Sequence, residues 1–232
     1  KFNHKLRGTC AAVYIFNQFE FKTAEKCKLF DVLVSPILHY SSEISALSEG
    51  LFFRINTYKV YAEFYLLENA NRVGLYGELG RVPLILIRKV NMLRYRLKLL
   101  RSDDQCLSKQ IYNYLKHDVN NNITFLGKKR VFQVKTVLND LGLSNLWINQ
   151  ETLNIALPPI KQRIFDQYNQ SWYQNINNSH NPYCRFKHSF EIEQYIDFVT
   201  DRIFEIILTK FRLSVHSLEI ETGRHSNISR EN

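Results

Sequence analysis

Apolar residues recur at helical spacing in several stretches of the chain. In the clearest stretch, residues 83–101, five of them repeat at intervals of four, three, four and three residues, which predicts one buried stripe. These five are Leu86, Val90, Leu93, Leu97 and Leu100. A proline fits the first turn of a helix because its missing N–H would have no partner there. The pattern therefore predicts a helix with Pro83 in its first turn.

Residues 23–38 and 128–142 give two further helical patterns. In the first, Thr23 is the predicted N-cap, with Lys26 at the third helical position, and Pro36 should kink or end the helix. Its apolar stripe is Phe30, Leu33, Val34 and Ile37. In the second, Gly142 is the predicted C-terminal cap. Its apolar positions are Val131, Val134, Val137, Leu138 and Leu141.

The last third of the chain also has helical spacing, in residues 160–176 and again in 192–206. The second stripe is Ile192, Ile196, Val199, Ile203 and Ile206. Residues 177–184 are polar and predict a loop, whereas residues 51–67 are ambiguous and favour a helix only weakly. Because no hairpin signal or internal repeat accompanies these stretches, the sequence predicts a mainly α fold.

Glycine and proline mark the predicted breaks. Gly74, Gly77 and Gly80 predict turns, but their spacing matches neither of the glycine patterns that bind phosphate. Pro158 and Pro159 interrupt the segment ETLNIALPPI, residues 151–160, which is the predicted linker. The first residue is Lys1 rather than Met, and we expect the sequence to be part of a longer protein.

The positive charge is concentrated in the middle of the chain. The net charge is +2 over residues 1–75, +9 over 76–135 and −2 over 136–232, and no acidic residue lies between Arg81 and Arg101. A localised basic block is typical of a surface that binds a polyanion, since each Lys or Arg on a phosphate releases counterions. A solvated helix face that only aids solubility would have the same composition, so both interpretations stay open.

Composition excludes two broad classes. With 45% apolar residues the chain can form a core, which excludes disorder of the whole chain. The longest apolar run is seven residues, 10–16, and the run 82–87 has six, so both are far short of the ~20 that span a bilayer. A basic helix lying on a membrane surface ranks last, because its charges spread over more than one face. The four cysteines are too few and too widely spaced for a disulfide framework, which favours a reducing compartment. We expect an intracellular protein of the cytoplasm and nucleus.

Catalytic and metal-binding patterns are weak. His180, Cys184 and His188 lack a fourth zinc ligand and are separated by Pro182. Two acidic residues four apart, Asp197 and Asp201, could belong to a metal-dependent nuclease, but an ordinary solvated helix has the same spacing. They are flanked by Glu193 and Glu205, and Asp103–Asp104 fits the polar end of the basic helix. The residues alone predict no catalytic residue and no metal site.

Three segments in order resemble the region downstream of the palm in reverse transcriptases of non-LTR (LINE-type) retrotransposons. The string KLFDVLVSPILHYSSEIS at 28–45 is similar to the thumb segment of that family. The string VGLYGELGRVPLILIRKVNMLRYRLKLL at 73–100 is similar to its "YGELGR-x-P" turn and the basic helix that follows. KQRIFDQYNQSWYQNI at 161–176 and LTKFRLSVHSLEIETGRHSNISRE at 208–231 resemble its carboxy-terminal block. The ordered set covers nearly the whole chain.

The departures from the family limit what the resemblance implies. The Tyr/Phe-x-Asp-Asp signature of the palm is missing, since Asp103–Asp104 follows Arg101-Ser102, and the tryptophan expected after Ile44 is Ser45. The cysteine-rich knuckle expected after Glu231 is not in this sequence. The Mg²⁺ expected for the missing palm would therefore not bind this chain, which holds no cofactor of its own. Whether the chain has any enzymatic role of its own stays open.

The resemblance implies a non-catalytic fragment of an RNA-directed DNA polymerase that grips template RNA, RNA–DNA hybrid or DNA by the backbone. It implies a thumb-like helical bundle at 1–72, a basic helical region at 73–157 and a carboxy-terminal helical region at 158–232. The alternative is a decayed remnant that folds but binds nothing. The predicted phosphate contacts are Arg81, Arg88, Lys89, Arg94, Arg96, Lys98, Arg101, Lys128, Lys129 and Arg130.

Overall fold

A computed structural model describes residues 19, 21–40, 71–121, 129–149, 157–178 and 182–215. These residues are mostly helical, and no strand occurs among them, so the predicted mainly α fold is confirmed. The α-helices are α1 (Thr23–Leu29), α2 (Ser35–His39), α3 (Arg72–Glu78), α4 (Leu84–Arg101), α5 (Leu107–Asn120), α6 (Lys129–Asp140), α7 (Ser144–Ile148), α8 (Leu157–Asn178), α9 (Tyr195–Phe198) and α10 (Arg202–Arg212). A π-helical turn spans Phe30–Val34 and a 3₁₀ turn spans Pro182–Arg185. The ambiguous stretch 51–67 lies outside the described residues.

The chain forms two compact units, each assembled from segments that are distant in sequence. Unit 1 comprises residues 1–34, 55–82 and 170–232, and unit 2 comprises 35–54 and 83–169. The three consecutive regions expected from the sequence, 1–72, 73–157 and 158–232, differ from these units and stay a hypothesis about domains. The boundary at 169/170 falls inside α8. Residues 151–156 of the predicted linker lie outside the described residues, and its end is helical instead, because Pro158 and Pro159 lie in the first turn of α8, where a missing N–H has no cost.

Unit 2 is built around α4. All five residues of its predicted stripe are buried, and the helix packs against α5 and α6. Pro83 lies one residue earlier than expected, at the N-cap rather than in the first turn. The five predicted apolar positions of α6 are also buried. Gly142 ends this helix as predicted, with φ +67° and paired backbone bonds from Gly142 N to Asn139 O and from Leu143 N to Leu138 O, both 2.8 Å.

The first helical segment in the described residues has a register that differs from the prediction. Lys22, not Thr23, is the N-cap, because Glu25 accepts a hydrogen bond from the Lys22 backbone N–H at 3.0 Å. Pro36 does not end the helix, since a π-helical turn shifts the bonding pattern just before the proline ring and the chain continues as α2. The extra residue in that turn leaves Leu33 49% exposed.

Two of the three glycines expected in turns lie inside α3 instead. A Cβ on Gly74 would lie 2.6 Å from the Leu213 side chain, and one on Gly77 would lie 2.6 Å from the Trp172 ring. These positions are glycine because neighbouring side chains pack directly on the helix backbone. Only Gly80 is in a turn, with φ +58°, beside the isolated bridge between Leu79 and Ile192.

The last predicted stripe is also wrong, because residues 192–206 do not form one helix. The side chain of Asp201 accepts hydrogen bonds from Ile203 N at 2.8 Å and Phe204 N at 3.3 Å, which starts a new helix, α10. Its buried face carries Glu205, Thr209 and Leu213 rather than the isoleucines.

Candidate nucleic-acid interface

The basic side chains of α4 divide into an outer and an inner group. Arg94, Lys98 and Arg101 are spaced four and three residues apart, so they lie on one face of the helix, and all three are exposed. We call these three residues the outer cations. Arg88 and Arg96 are buried, at 8% and 3% exposed, and form the inner group.

The outer cations line an open groove of about 430 Å³. Leu97, Ser102 and Leu157 complete its lining. Arg94 is oriented by a hydrogen bond from its guanidinium to Asn91 Oδ1 at 3.0 Å. An open, cationic groove with an apolar floor can accept a phosphate backbone while the long side chains reach along its rim.

The acidic residues closest in sequence are engaged elsewhere. Asp104 pairs with Lys109 Nζ at 2.7 Å, and Asp103 Oδ1 accepts a hydrogen bond from Gln105 N at 2.9 Å. This turn after α4 is the polar end that the sequence predicts. Within the described part of the chain, no carboxylate forms an ion pair with an outer cation. Among the residues that the structure describes, no ion pair therefore neutralises the positive charge of the groove.

Arg96 has a structural role. Its Nε donates to the Tyr112 hydroxyl at 3.0 Å and its NH2 group donates to the Leu146 carbonyl at 2.6 Å. These bonds tie α4 to α5 and to α7, and burial of the phenol raises the pKa of Tyr112. A guanidinium committed to two buried acceptors is not free to contact a phosphate, so we remove Arg96 from the proposed contact set.

Arg88 is likewise turned inward. It donates to the Leu38 carbonyl at 3.4 Å, and burial lowers its pKa. Burial, together with the positive charge of Arg88, lowers the pKa of the neighbouring His39 to about 4. His39 is therefore neutral at pH 7, and neither of its ring nitrogens has a hydrogen-bond partner among the described residues. We therefore also remove Arg88 from the proposed set of phosphate contacts.

Among the described residues, the other predicted contacts are not part of the groove lining. Arg81, in unit 1, forms a bidentate ion pair with Asp31, in which the two guanidinium nitrogens lie 2.5 and 2.6 Å from the two carboxylate oxygens. Arg130 stacks on the Tyr95 ring at 4.2 Å, and Lys89 is half-buried. Lys128 lies outside the described residues, as does the side chain of Lys129.

Sequence reasoning missed the rest of the groove lining. Leu97 was assigned to the core stripe, and nothing in the sequence places Leu157 beside the outer cations. It also missed Lys116, which is 7% exposed and lies 5.4 Å from the centre of the Trp147 ring. Burial is the larger cause that lowers the pKa of Lys116, and the positive charge of Arg96 is the smaller one.

The weak catalytic patterns do not assemble into a site in the described residues. Asp201 caps α10 whereas Asp197 lies in α9, so the acidic face expected of one continuous helix does not form. Glu205 is buried and pairs with Arg202 at 3.2 Å. His180 lies outside the described residues, and no group of three metal-binding side chains occurs within them.

Comparison with protein-family models, with curated proteins and with solved structures finds no match for this chain. Among the described helices, none is long and apolar enough to cross a membrane.

Proposed function

We propose that the chain binds nucleic acid by its phosphate backbone, and that the outer cations Arg94, Lys98 and Arg101 make the contacts. The single observation that carries the proposal is their placement on one exposed face of α4, along an open groove. The eight residues from Arg94 to Arg101 extend over roughly 10 Å of helix axis at 1.5 Å per residue. That length suits a short run of backbone rather than a single phosphate.

The resemblance to non-LTR reverse transcriptases suggests which kind of nucleic acid the outer cations would bind. In that context the chain is a non-catalytic fragment of an RNA-directed DNA polymerase that holds template RNA or an RNA–DNA hybrid. A-form helices offer phosphates and 2′-hydroxyls more readily than base edges, so cationic side chains would bind them with little sequence preference. The groove contributes positive charge and shape, and the chemistry of polymerisation belongs to the missing palm.

The test is a fluorescence-anisotropy titration of the full chain with a short RNA–DNA hybrid at low salt. We expect the triple variant Arg94→Glu, Lys98→Glu, Arg101→Glu to weaken binding by at least about a hundredfold, because each position changes from attraction to repulsion. The matched control is Lys28→Glu, Arg72→Glu, Arg185→Glu, which changes the net charge equally at exposed positions of unit 1. We expect it to weaken binding by less than about fivefold.

Equal losses in both variants would mean that net charge alone attracts the hybrid, and would contradict the proposed groove. A folded wild-type chain that does not bind at low salt would favour the alternative function, a remnant that has kept its fold and lost its binding. Circular dichroism of each variant separates a loss of binding from a loss of folding.

A further inference from the structure

Three helices of unit 2 bring two lysines to one tryptophan ring. Lys116 lies on α5, Lys135 on α6 and Trp147 on α7, and α6 packs against both of the other helices. The Lys116 ammonium lies 5.4 Å from the centre of the Trp147 ring, and the Lys135 ammonium lies 6.0 Å from it. A hydrogen bond from Trp147 Nε1 to Asn120 Oδ1 at 3.0 Å holds the ring in place. We call Lys116, Lys135 and Trp147 the lysine–tryptophan cluster.

The charge of Lys116 is costly where it lies. The residue is only 7% exposed, and burial, together with the positive charge of Arg96, lowers its pKa. An uncharged side chain of similar length, such as methionine, would fill the same space without removing an ammonium group from water. The face of the Trp147 ring attracts a cation but carries no net charge, so it does not neutralise the cluster. Packing alone therefore does not account for a lysine at this position.

No carboxylate among the described residues neutralises the cluster. The helices α5, α6 and α7 carry two acidic residues, Asp118 and Asp140, and neither forms an ion pair with Lys116 or Lys135. The Lys116 ammonium is not enclosed, so it reaches solvent although the rest of the side chain is buried. Both ammonium groups are thus open to a ligand that carries negative charge.

The spacing of the two ammonium groups suits phosphate. Both lie within 6.0 Å of one ring centre, so they are less than twice that distance apart. Successive phosphates of a duplex strand are spaced about 3.4 Å along its axis, so one phosphate or two neighbouring ones can contact both lysines. A lysine binds phosphate as a point charge. The Trp147 ring is 3% exposed and cannot stack on a base, so the cluster recognises charge rather than sequence.

We infer that the lysine–tryptophan cluster is a second phosphate-binding site, separate from the groove of the outer cations, and that it holds the backbone of the same bound nucleic acid. The nucleic acid as the source of the phosphate rests on the proposed function, whereas the site itself requires only a phosphate group. Both surfaces belong to unit 2. Unit 2 then contacts nucleic acid at two places rather than along α4 alone.

The two tryptophans of the chain allow a direct test, because a nitrogen–proton correlation spectrum of the full chain contains two indole signals. Trp147 reports on the cluster. Trp172, in unit 1, donates its indole N–H to the Val73 carbonyl at 2.9 Å and is the internal control, and Trp172→Phe assigns the two signals. We expect the RNA–DNA hybrid and inorganic phosphate each to shift the Trp147 signal and not the Trp172 signal. Sodium chloride at the same ionic strength should shift neither.

Substitution of the two lysines tests their contribution to binding. We expect Lys116→Gln, Lys135→Gln to abolish the phosphate-induced shift, to weaken hybrid binding about tenfold and to reduce the log–log salt slope by roughly 0.7 to 1.8. The matched control, Lys28→Gln, Lys161→Gln, removes the same charge at exposed positions, and Lys161 also lies over a ring, that of Phe165, at 5.6 Å. It should weaken binding by less than about threefold and leave the slope unchanged.

The outcomes separate this site from the proposed function. A chain that binds the hybrid without a shift of the Trp147 signal would overturn the second site and leave the groove standing. Equal effects of the two double variants would also overturn it. Binding of inorganic phosphate at the cluster without any binding of hybrid would contradict the proposed function and support a site for free phosphate. If circular dichroism shows that the double variant does not fold, the half-exposed Lys135→Gln is compared with Lys161→Gln by the same measurements.

Discussion

The helices α4 and α10 place their charged and apolar side chains in opposite ways. On α4 a leucine-rich stripe is buried and Arg94, Lys98 and Arg101 face solvent. On α10 the buried side carries Glu205, Thr209 and the bonded Arg212, and isoleucine and phenylalanine face solvent. The described helices therefore present two chemically different exposed surfaces, a cationic one on α4 and an apolar one on α10.

The largest effect should come from the buried network beneath α10. Arg212 contacts Glu78 at 3.0 Å and Glu193 at 3.0 Å, and burial raises the pKa of Glu78 while the Tyr195 hydroxyl and Arg212 act against that rise. Arg212→Leu leaves a buried carboxylate without its cation and should lower the free energy of unfolding by about 3 kcal/mol. Urea unfolding followed by circular dichroism measures it.

The control for this variant is Lys210→Leu, on the same helix but half-exposed. It should change the free energy of unfolding by less than about 0.5 kcal/mol. Equal stabilities of the two variants would show that the ion pairs of Arg212 do not stabilise the packing of α10. They would then not explain why the apolar side chains of α10 face solvent.

The two groups of arginines on α4 should separate stability from binding. Arg96→Ala leaves Tyr112 and the Leu146 carbonyl without their donor and should lower the free energy of unfolding by about 2–3 kcal/mol. Arg94→Ala, two residues away and exposed, should change it by less than about 0.5 kcal/mol and yet weaken hybrid binding several-fold. Urea titrations and anisotropy on both variants check the pair, and the reverse pattern would contradict the division into inner and outer groups.

Stability should also depend on pH through His39, the neighbour of Arg88. His39 has a pKa of about 4 in the folded chain, because of burial and the charge of Arg88, against 6.5 when unfolded. The unfolded chain therefore binds a proton that the folded chain does not, so stability falls as the pH drops from about 6.5 towards 4. After allowance for partial solvent exposure we expect a loss of roughly 1–2 kcal/mol.

Thermal melts at pH 7 and pH 5 measure this loss. His39→Gln should reduce the difference between the two melting temperatures, whereas His117→Gln, which removes a histidine with a 73% exposed side chain, should not. An unchanged difference in His39→Gln would assign the pH dependence to other groups.

The smallest effect should come from the end of α6. Gly142 has φ +67°, where a Cβ is strained, so Gly142→Ala should lower the free energy of unfolding by about 1 kcal/mol. Asn139→Ala, at an exposed position of the same helix, should be neutral or slightly stabilising. Urea unfolding compares the two, and a neutral Gly142→Ala would contradict the capping role.

Regular spacing was enough to predict α4 and α6. Their apolar residues can all be buried together only if each segment is a helix that turns this stripe towards the core. It could not predict which flank of α4 a neighbouring helix covers. Arg94 and Arg96 have the same chemistry, and only the contacts of Tyr112 and Leu146 with the second residue separate them.

The spacing of 192–206 led to the wrong helix for a related reason. The isoleucines recur at helical intervals, but the Asp201 side chain starts a new helix and the inward positions carry polar partners of Glu78 and Tyr195. A pattern of apolar residues predicts burial only when the polar residues have no buried partners of their own.

The salt dependence of hybrid binding tests the central claim most directly. Each phosphate contact contributes a log–log slope of roughly −0.7 to −0.9, so removing the charges of Arg94, Lys98 and Arg101 together by substitution with Gln should reduce the slope by about 2 to 3. A slope that is the same for the wild type and the triple variant would mean that the outer cations do not contact phosphate, and would contradict the account.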